Sequence, residues 1–64
     1  MGAKEMFEEA GYTYYKSKNM ILCEISEINY LIFSPDKEIT VGDYAIDVAT
    51  LKAINQQMRE LGWL

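Results

Sequence analysis

The side chains in this sequence that could do chemistry are one thiol and a few pairs of carboxylates. Histidine, the usual general acid or base near neutral pH, is absent, and Cys23 is the only cysteine. A reactive thiolate needs a basic neighbour or a helix N-terminus. Cys23 instead lies on the same side as Ile21 and Ile25 in an alternating run that is typical of a strand. We therefore expect Cys23 to be a small buried apolar residue and not a nucleophile.

The carboxylates do not form a catalytic or metal-binding pattern. Glu8 and Glu9 are adjacent in sequence, so they point to different sides of a helix and cannot act as a pair. Asp43 and Asp47 could offer oxygens to a cation, but Asp47 is also a good helix N-cap, and a calcium loop needs more ligands. A usual zinc set needs several Cys or His residues. The sequence therefore predicts no enzyme, no cofactor and no metal centre.

The charge balance indicates which partners to exclude. The 64 residues include 6 basic and 10 acidic ones, for a formal net charge of −4. Binding to a phosphate backbone needs clustered Lys and Arg, and the one basic segment, residues 12–19, has only Lys16 and Lys18. No apolar run approaches the ~20 residues of a membrane span, and the first residues lack the apolar core of a signal peptide. With a single cysteine, we expect a cytoplasmic protein that binds neither nucleic acid nor membranes.

The elements that position these side chains begin with a short predicted helix. Gly11 stands where a left-handed residue follows a helix, an ending that would bring Tyr12 against Phe7. The apolar stripe that predicts this helix comprises Ala3, Met6, Phe7 and Ala10.

Alternating apolar and polar residues then predict an antiparallel meander of three or four strands. The predicted strands cover residues 12–16, 20–25, 28–32 and 38–44. Residues 34–37 are a strong turn signal, with Pro35 at the first central position. Ser26 and Glu27 are a weak turn signal without glycine, so residues 20–32 are either a hairpin or one long bent strand.

The last element is predicted to be a helix that Asp47 caps and Gly62 ends, with Trp63 placed above Met58. The stripe predicted to face the core comprises Val48, Leu51, Ile54, Met58 and Leu61. The residues predicted to face solvent are Lys52, Gln56, Arg59 and Glu60. The sequence thus predicts a single α+β domain over residues 1–64, with both helices on one face of the sheet.

The five tyrosines lie in or next to the predicted strands. Tyrosine is a good strand residue, and it is also enriched in interface hot spots. Alternation puts Tyr14 and Tyr15 on opposite faces, so one ring stays exposed if the helices cover one face. The candidate partner-binding residues are Tyr12, Tyr14, Tyr15, Tyr30 and Tyr44. The expected partner is a second copy, bound through residues 12–16 or through the face that carries Tyr14, or else a different protein.

Two segments carry a resemblance: Lys-Glu-Met-Phe-Glu-Glu-Ala-Gly-Tyr at residues 4–12 and Leu-Lys-Ala-Ile-Asn-Gln-Gln-Met-Arg-Glu-Leu-Gly-Trp-Leu at residues 51–64. They resemble small uncharacterised proteins of phages, prophages and mobile elements of Gram-positive bacteria. In those proteins a helix ending in Leu-Gly-Tyr opens the chain and an Ala-Ile-Asn helix ending in Leu-Gly-Trp closes it. Ala10 stands where Leu is usual. The resemblance implies a dispensable accessory protein and supplies no catalytic residue.

Two functions follow from these observations. The first is a non-enzymatic phage or prophage accessory protein that acts by binding a second copy or another protein of the host or phage, and a large exposed tyrosine patch would favour it. The alternative is an acidic inhibitor of a host defence nuclease or of another nucleic-acid-binding host protein. A contiguous acidic patch would favour the inhibitor, and its residues would be Glu24, Glu27, Asp36, Glu38 and Asp43. A deep pocket lined by polar groups would indicate a third class, a weak enzyme or a ligand-binding module.

Overall fold

The chain folds in the order helix, four strands, helix in a computed structural model that describes residues 1–64. The helices are α1 (Ala3–Glu9) and α2 (Val48–Glu60). The strands are β1 (Thr13–Lys16), β2 (Ile21–Glu24), β3 (Tyr30–Phe33) and β4 (Ile39–Val41). They form one antiparallel meander in the order β1-β2-β3-β4, so β1 and β4 are its edges. The predicted α+β fold is confirmed, with four strands.

The segment that the sequence left ambiguous is a hairpin. The Ile25 N–H donates to the Asn29 carbonyl at 2.8 Å, which closes the turn between β2 and β3. The Ser26 hydroxyl accepts a further bond from the Asn29 N–H at 3.3 Å. No residue of this turn has a positive φ, so the turn needs no glycine, and the Ser26 side chain stabilises it through this bond.

The strand register divides the sheet into a covered face and an open face. The residues that point toward the helices are Tyr14, Ile21, Cys23, Leu31 and Phe33. They pack with Phe7 of α1 and with Ala53 and Ile54 of α2. Because successive strand residues point to opposite faces, the residues between them lie on the face that no helix covers.

Both helices end in the glycine cap that the sequence predicts. The φ angles are positive at both residues, Gly11 (97°) and Gly62 (76°). After α1, the Tyr12 N–H donates to the Phe7 carbonyl at 2.9 Å, and the two rings meet edge to face. After α2, the Trp63 N–H donates to the Met58 carbonyl at 2.8 Å. These are the bonds of two Schellman endings.

The N-terminus of the seven-residue α1 is held by the end of α2. The Glu60 carboxylate accepts bonds from the Ala3 N–H at 2.8 Å and from the Gln56 side-chain amide at 3.0 Å. The Gln56 bond and then the Ala3 bond lower the pKa of Glu60. A negative charge here also compensates the helix dipole of α1. Glu60 is exposed, as predicted, but it contributes to the fold as well, because so short a helix needs tertiary support.

The face that α2 buries differs from the predicted one. Val48 and Leu51 were expected in the core, but they are 67% and 51% exposed. The buried residues of α2 are Thr50, Ala53, Ile54 and Gln57. The prediction for Val48 and Leu51 was wrong because the helix is turned so that two polar side chains, and not two aliphatic ones, reach the sheet.

In β4, Ile39 and Val41 are the register partners of the inward-facing Phe33 and Leu31, so both lie on the covered face of the sheet. Ile39 packs against the core, whereas Val41 is 43% exposed. α1 contacts β1, and β4 is the edge strand at the other side of the sheet. The helices therefore cover β4 less than they cover β1.

Gly42, directly after β4, has no room for a side chain. A Cβ built on it would lie 2.3 Å from the Ile28 carbonyl oxygen and 2.9 Å from the Tyr30 ring. The Gly42 N–H also donates to the Tyr30 carbonyl at 2.8 Å, so the two residues are paired and the ring lies over the glycine. The turn between β2 and β3 and the end of β4 therefore approach each other through this position.

We expect the substitution Ile54→Ala to lower the free energy of unfolding by about 2–5 kcal/mol, because Ile54 is buried and a cavity would remain. Leu51→Ala removes a similar side chain from an exposed site and is expected to cost less than about 1 kcal/mol. Thermal and urea unfolding of both variants measure the difference. Equal losses would contradict the observed orientation of α2.

We expect Gly42→Ala to lower the free energy of unfolding by about 1–3 kcal/mol, because the new methyl group would overlap backbone atoms that cannot move independently. Asp43→Ala, at the exposed next residue, is the control and is expected to have little effect. Urea unfolding compares the two. A Gly42→Ala variant as stable as the control would show that Ile28 does not approach β4 as described.

Candidate protein-binding surface

The structure divides the five candidate tyrosines into two groups. Tyr12, Tyr14 and Tyr44 pack with the core beneath the helices. Tyr15 and Tyr30 lie on the open face, since each alternates with a core residue of its strand. The face that carries Tyr14 is thus the covered one, which corrects the expectation that a second copy could bind there. The free face is the one that carries Tyr15.

The buried group links the sheet to α2 through hydrogen bonds. The Tyr12 hydroxyl lies 3.0 Å from the Thr50 hydroxyl and 2.8 Å from the Tyr44 hydroxyl. The Tyr14 hydroxyl donates to the Gln57 side-chain carbonyl at 2.5 Å. Burial is the largest cause that raises the pKa of both Tyr14 and Tyr44 above the ordinary value of a phenol. No buried side-chain nitrogen or oxygen lacks a partner.

Thr50 and Gln57 are the structurally important residues that sequence reasoning missed. They are seven positions apart, so they lie on one side of α2, and they are 2% and 1% exposed. A signal was present in the sequence. Core-facing tyrosines need partners for their hydroxyl groups, and Thr50 and Gln57 are polar residues at helical spacing on the same element.

The residues that could have done chemistry serve the fold instead. Cys23 is fully buried, and burial raises the pKa of its thiol to about 12, so the thiolate is not populated near neutral pH. The Asp47 carboxylate accepts a bond from the Thr50 N–H at 2.8 Å, which lowers the pKa of Asp47 and caps α2 as predicted. No three His, Cys, Asp or Glu residues lie together as metal ligands would.

Two surface clefts are present, of about 250 and 260 Å³. The first is lined in part by Lys16, Phe33 and Trp63, and the second by Met6 and Lys52. None of the side chains with a shifted pKa lines either cleft. Active sites tend to combine a pocket with such groups, and these clefts do not.

The open face has an uncharged row of side chains across its centre. This central row runs over all four strands, because its residues are direct partners in the register, and it consists of Tyr15, Leu22, Ile32 and Thr40. Tyr15 is 51% exposed, and Leu22 and Ile32 are half-buried by their neighbours. Each large side chain here is fixed at a strand position, so the row is a rigid, mainly apolar surface.

The charged side chains around this face lie at its two ends. One end is acidic, and the other carries both signs of charge. The acidic end, formed where β2 turns into β3 and β4 ends, carries Glu24, Glu27 and Asp43 and has no basic residue. The opposite, mixed end is formed by the turns β1–β2 and β3–β4 and carries Lys18, Asp36, Lys37 and Glu38. The five acidic residues therefore form two groups on either side of the central row and not one contiguous patch.

We expect Tyr14→Phe to lower the free energy of unfolding by about 1–3 kcal/mol, because it leaves the buried Gln57 side chain without its donor. The double substitution Tyr14→Phe with Gln57→Leu removes both polar groups and is expected to recover part of the loss. Tyr15→Phe is the matched control on the exposed face and is expected to change little. Urea unfolding of the four proteins tests the coupling, and equal effects of the two Phe variants would contradict it.

Neither helix is long and apolar enough to span a lipid bilayer. No family model, no curated protein sequence and no solved structure matches this chain.

Proposed function

We propose that this chain is a non-enzymatic protein-binding module that acts through the open face of its sheet. The observation that supports the proposal is the central row, in which Tyr15, Leu22 and Ile32 lie side by side on a face without a helix. An antiparallel sheet with one solvated face normally alternates apolar residues inward and polar residues outward. Apolar residues on both faces of the middle strands indicate that the second face also meets a partner.

The composition of this face fits a protein partner. Tyr15 is 51% exposed and offers a large ring at low entropic cost, and Tyr is enriched at interface hot spots. The strands hold these groups in place before binding, which reduces the ordering cost of association. The face is flat and its centre is uncharged, so it suits an apolar protein surface better than a phosphate backbone or a small polar ligand.

The proposal includes an accessory role in a phage or prophage, acting in the cytoplasm of the bacterial host. The resemblance of residues 4–12 and 51–64 to small phage proteins supports the role. The unpaired, buried Cys23 fits a reducing compartment. The separation of the acidic residues into two ends favours this function over an acidic nuclease inhibitor, which would present one continuous negative surface.

The test is affinity capture from a lysate of a Gram-positive bacterium with three forms of the chain. The open-face variant carries Tyr15→Lys and Ile32→Thr, and the control variant carries Leu51→Lys and Val48→Thr. Both introduce the same residue types at positions with exposed or half-buried apolar side chains, and thermal melting confirms that both fold. We expect the wild type and the control to retain a protein that the open-face variant loses at least about tenfold. Retention of the same proteins by all three forms would contradict the proposal.

A further inference from the structure

We propose that the first cleft is a second binding site, separate from the open face, for an apolar group that carries a carboxylate. The cleft lies at one end of the sheet, where the β1–β2 turn, the start of the β3–β4 turn and the residues after α2 meet. No residue of the central row lines it. This proposal therefore goes beyond the function proposed for the open face and does not depend on it.

The apolar floor of the cleft consists of residues that other contacts already hold in place. Phe33 is 2% exposed and belongs to the core, and the Trp63 ring lies against it with the two ring centroids 6.2 Å apart. The hydrogen bond from the Trp63 N–H to the Met58 carbonyl fixes the backbone at the same point. Ile21 and Leu61 complete the floor. Because the floor is formed before a ligand arrives, binding carries a small ordering cost.

The charged side chains that line the cleft are all positive. They are Lys16 and Lys18, and no acidic residue lines the cleft, although the chain has 10 acidic residues and 6 basic ones. The other charged residues of the mixed end, Asp36, Lys37 and Glu38, do not line it. The mixed end has both signs of charge, whereas the cleft within it combines only positive charge with an apolar floor. Such a surface is complementary to an anion that carries an apolar group.

We assign the main contact with the anion to Lys18. Lys16 lies near Glu60, because its charge lowers the pKa of that carboxyl in addition to the two hydrogen bonds described above. Part of the Lys16 charge is therefore compensated within the chain. Lys18 is exposed at the cleft, and its ammonium group offers three donors on a flexible stem, so it can follow a carboxylate at the mouth of the cleft.

The size of the cleft limits its occupant. Its volume is about 250 Å³, whereas most small-molecule sites measure about 300–1,000 Å³. A cofactor or a nucleotide would exceed it, and a single apolar side chain would fit. The floor selects the apolar group and the lysines select the negative charge, so both must belong to one small unit. Two sources offer that chemistry, a free aliphatic or aromatic acid and the C-terminal residue of a peptide.

Trp63 provides the assay, because it is the only tryptophan of the chain and it lines the cleft. The experiment is a titration of the wild type with 3-phenylpropionate, its amide and acetate, followed by Trp63 fluorescence and by the amide NMR shifts of residues 17–20. We expect 3-phenylpropionate to bind with a Kd of about 1 mM, the scale of a small ligand in a shallow site. The uncharged amide is expected to bind at least about threefold more weakly, and acetate, which has no apolar group, is expected not to bind.

Two variants separate the cleft from the general charge of this end. Lys18→Gln is expected to weaken the binding of 3-phenylpropionate about threefold. Lys37→Gln removes the same charge at the same end but outside the cleft, and it is expected to leave binding unchanged. Both positions are exposed, so thermal melting is expected to show wild-type stability for both variants. High salt is expected to weaken binding to the wild type more than binding to Lys18→Gln.

Peptides that end in phenylalanine, with a free or an amidated C-terminus, identify the source of the ligand. Tighter binding of the free-carboxylate peptide than of 3-phenylpropionate indicates a chain end, and the reverse indicates a free acid. The proposal is overturned if neither ligand changes Trp63 fluorescence at its highest soluble concentration. Equal binding of the acid and its amide also overturns it, as does equal weakening by Lys18→Gln and Lys37→Gln, because either result removes the role of the cleft lysines.

Discussion

The constraint on which this structure depends is that two helices of seven and thirteen residues can cover only one face of a four-stranded sheet. The core that results contains nine buried hydrophobic residues. A chain of this length buries only about 60% of its unfolded surface, so each contact beneath the helices matters for stability. The same constraint leaves the second face of the sheet without internal cover. The residues of that face are therefore not constrained by packing against the helices.

The hydrogen bonds from tyrosine to α2 compensate for the small core. Tyr12 and Tyr14 each fill space with a ring and fix the helix with a hydroxyl, through Thr50 and Gln57. An apolar contact would tolerate small rotations of α2, whereas these bonds require particular side chains at particular positions. Their consequence is visible on the outside of the helix, where aliphatic side chains such as Leu51 are turned into solvent.

Local signals in the sequence predicted most of the fold. The glycine at each helix end and the Asp47 cap act through adjacent backbone groups, so position along the chain is enough to identify them. The orientation of α2 could not be predicted in this way. The hydrophobic stripe predicts that Leu51, and not Thr50, is buried. Thr50 is the buried residue because its hydroxyl contacts the Tyr12 hydroxyl, and this contact between distant parts of the chain has no signature in the stripe.

The candidate protein-binding surface was also predictable only in part. Alternation correctly placed Tyr14 and Tyr15 on opposite faces, but it could not show which face the helices cover. The register was also needed to bring Leu22 and Ile32 beside Tyr15, because these residues come from three different strands. The close approach of Ile28 to Gly42 depends on the path of a turn and has no signature in residue type.

The period-two geometry of the strands separates the residues of the core from those of the open face. In β2, Ile21 and Cys23 belong to the core and Leu22 belongs to the open face, although all three are adjacent in sequence. A change at Leu22 can therefore alter association while the contacts beneath the helices persist. Under the proposed function, a partner that binds only the folded chain would in turn support the fold, because it shifts the unfolding equilibrium by mass action. For a domain with so small a core, a partner bound on the open face would therefore add stability that grows with its affinity and concentration.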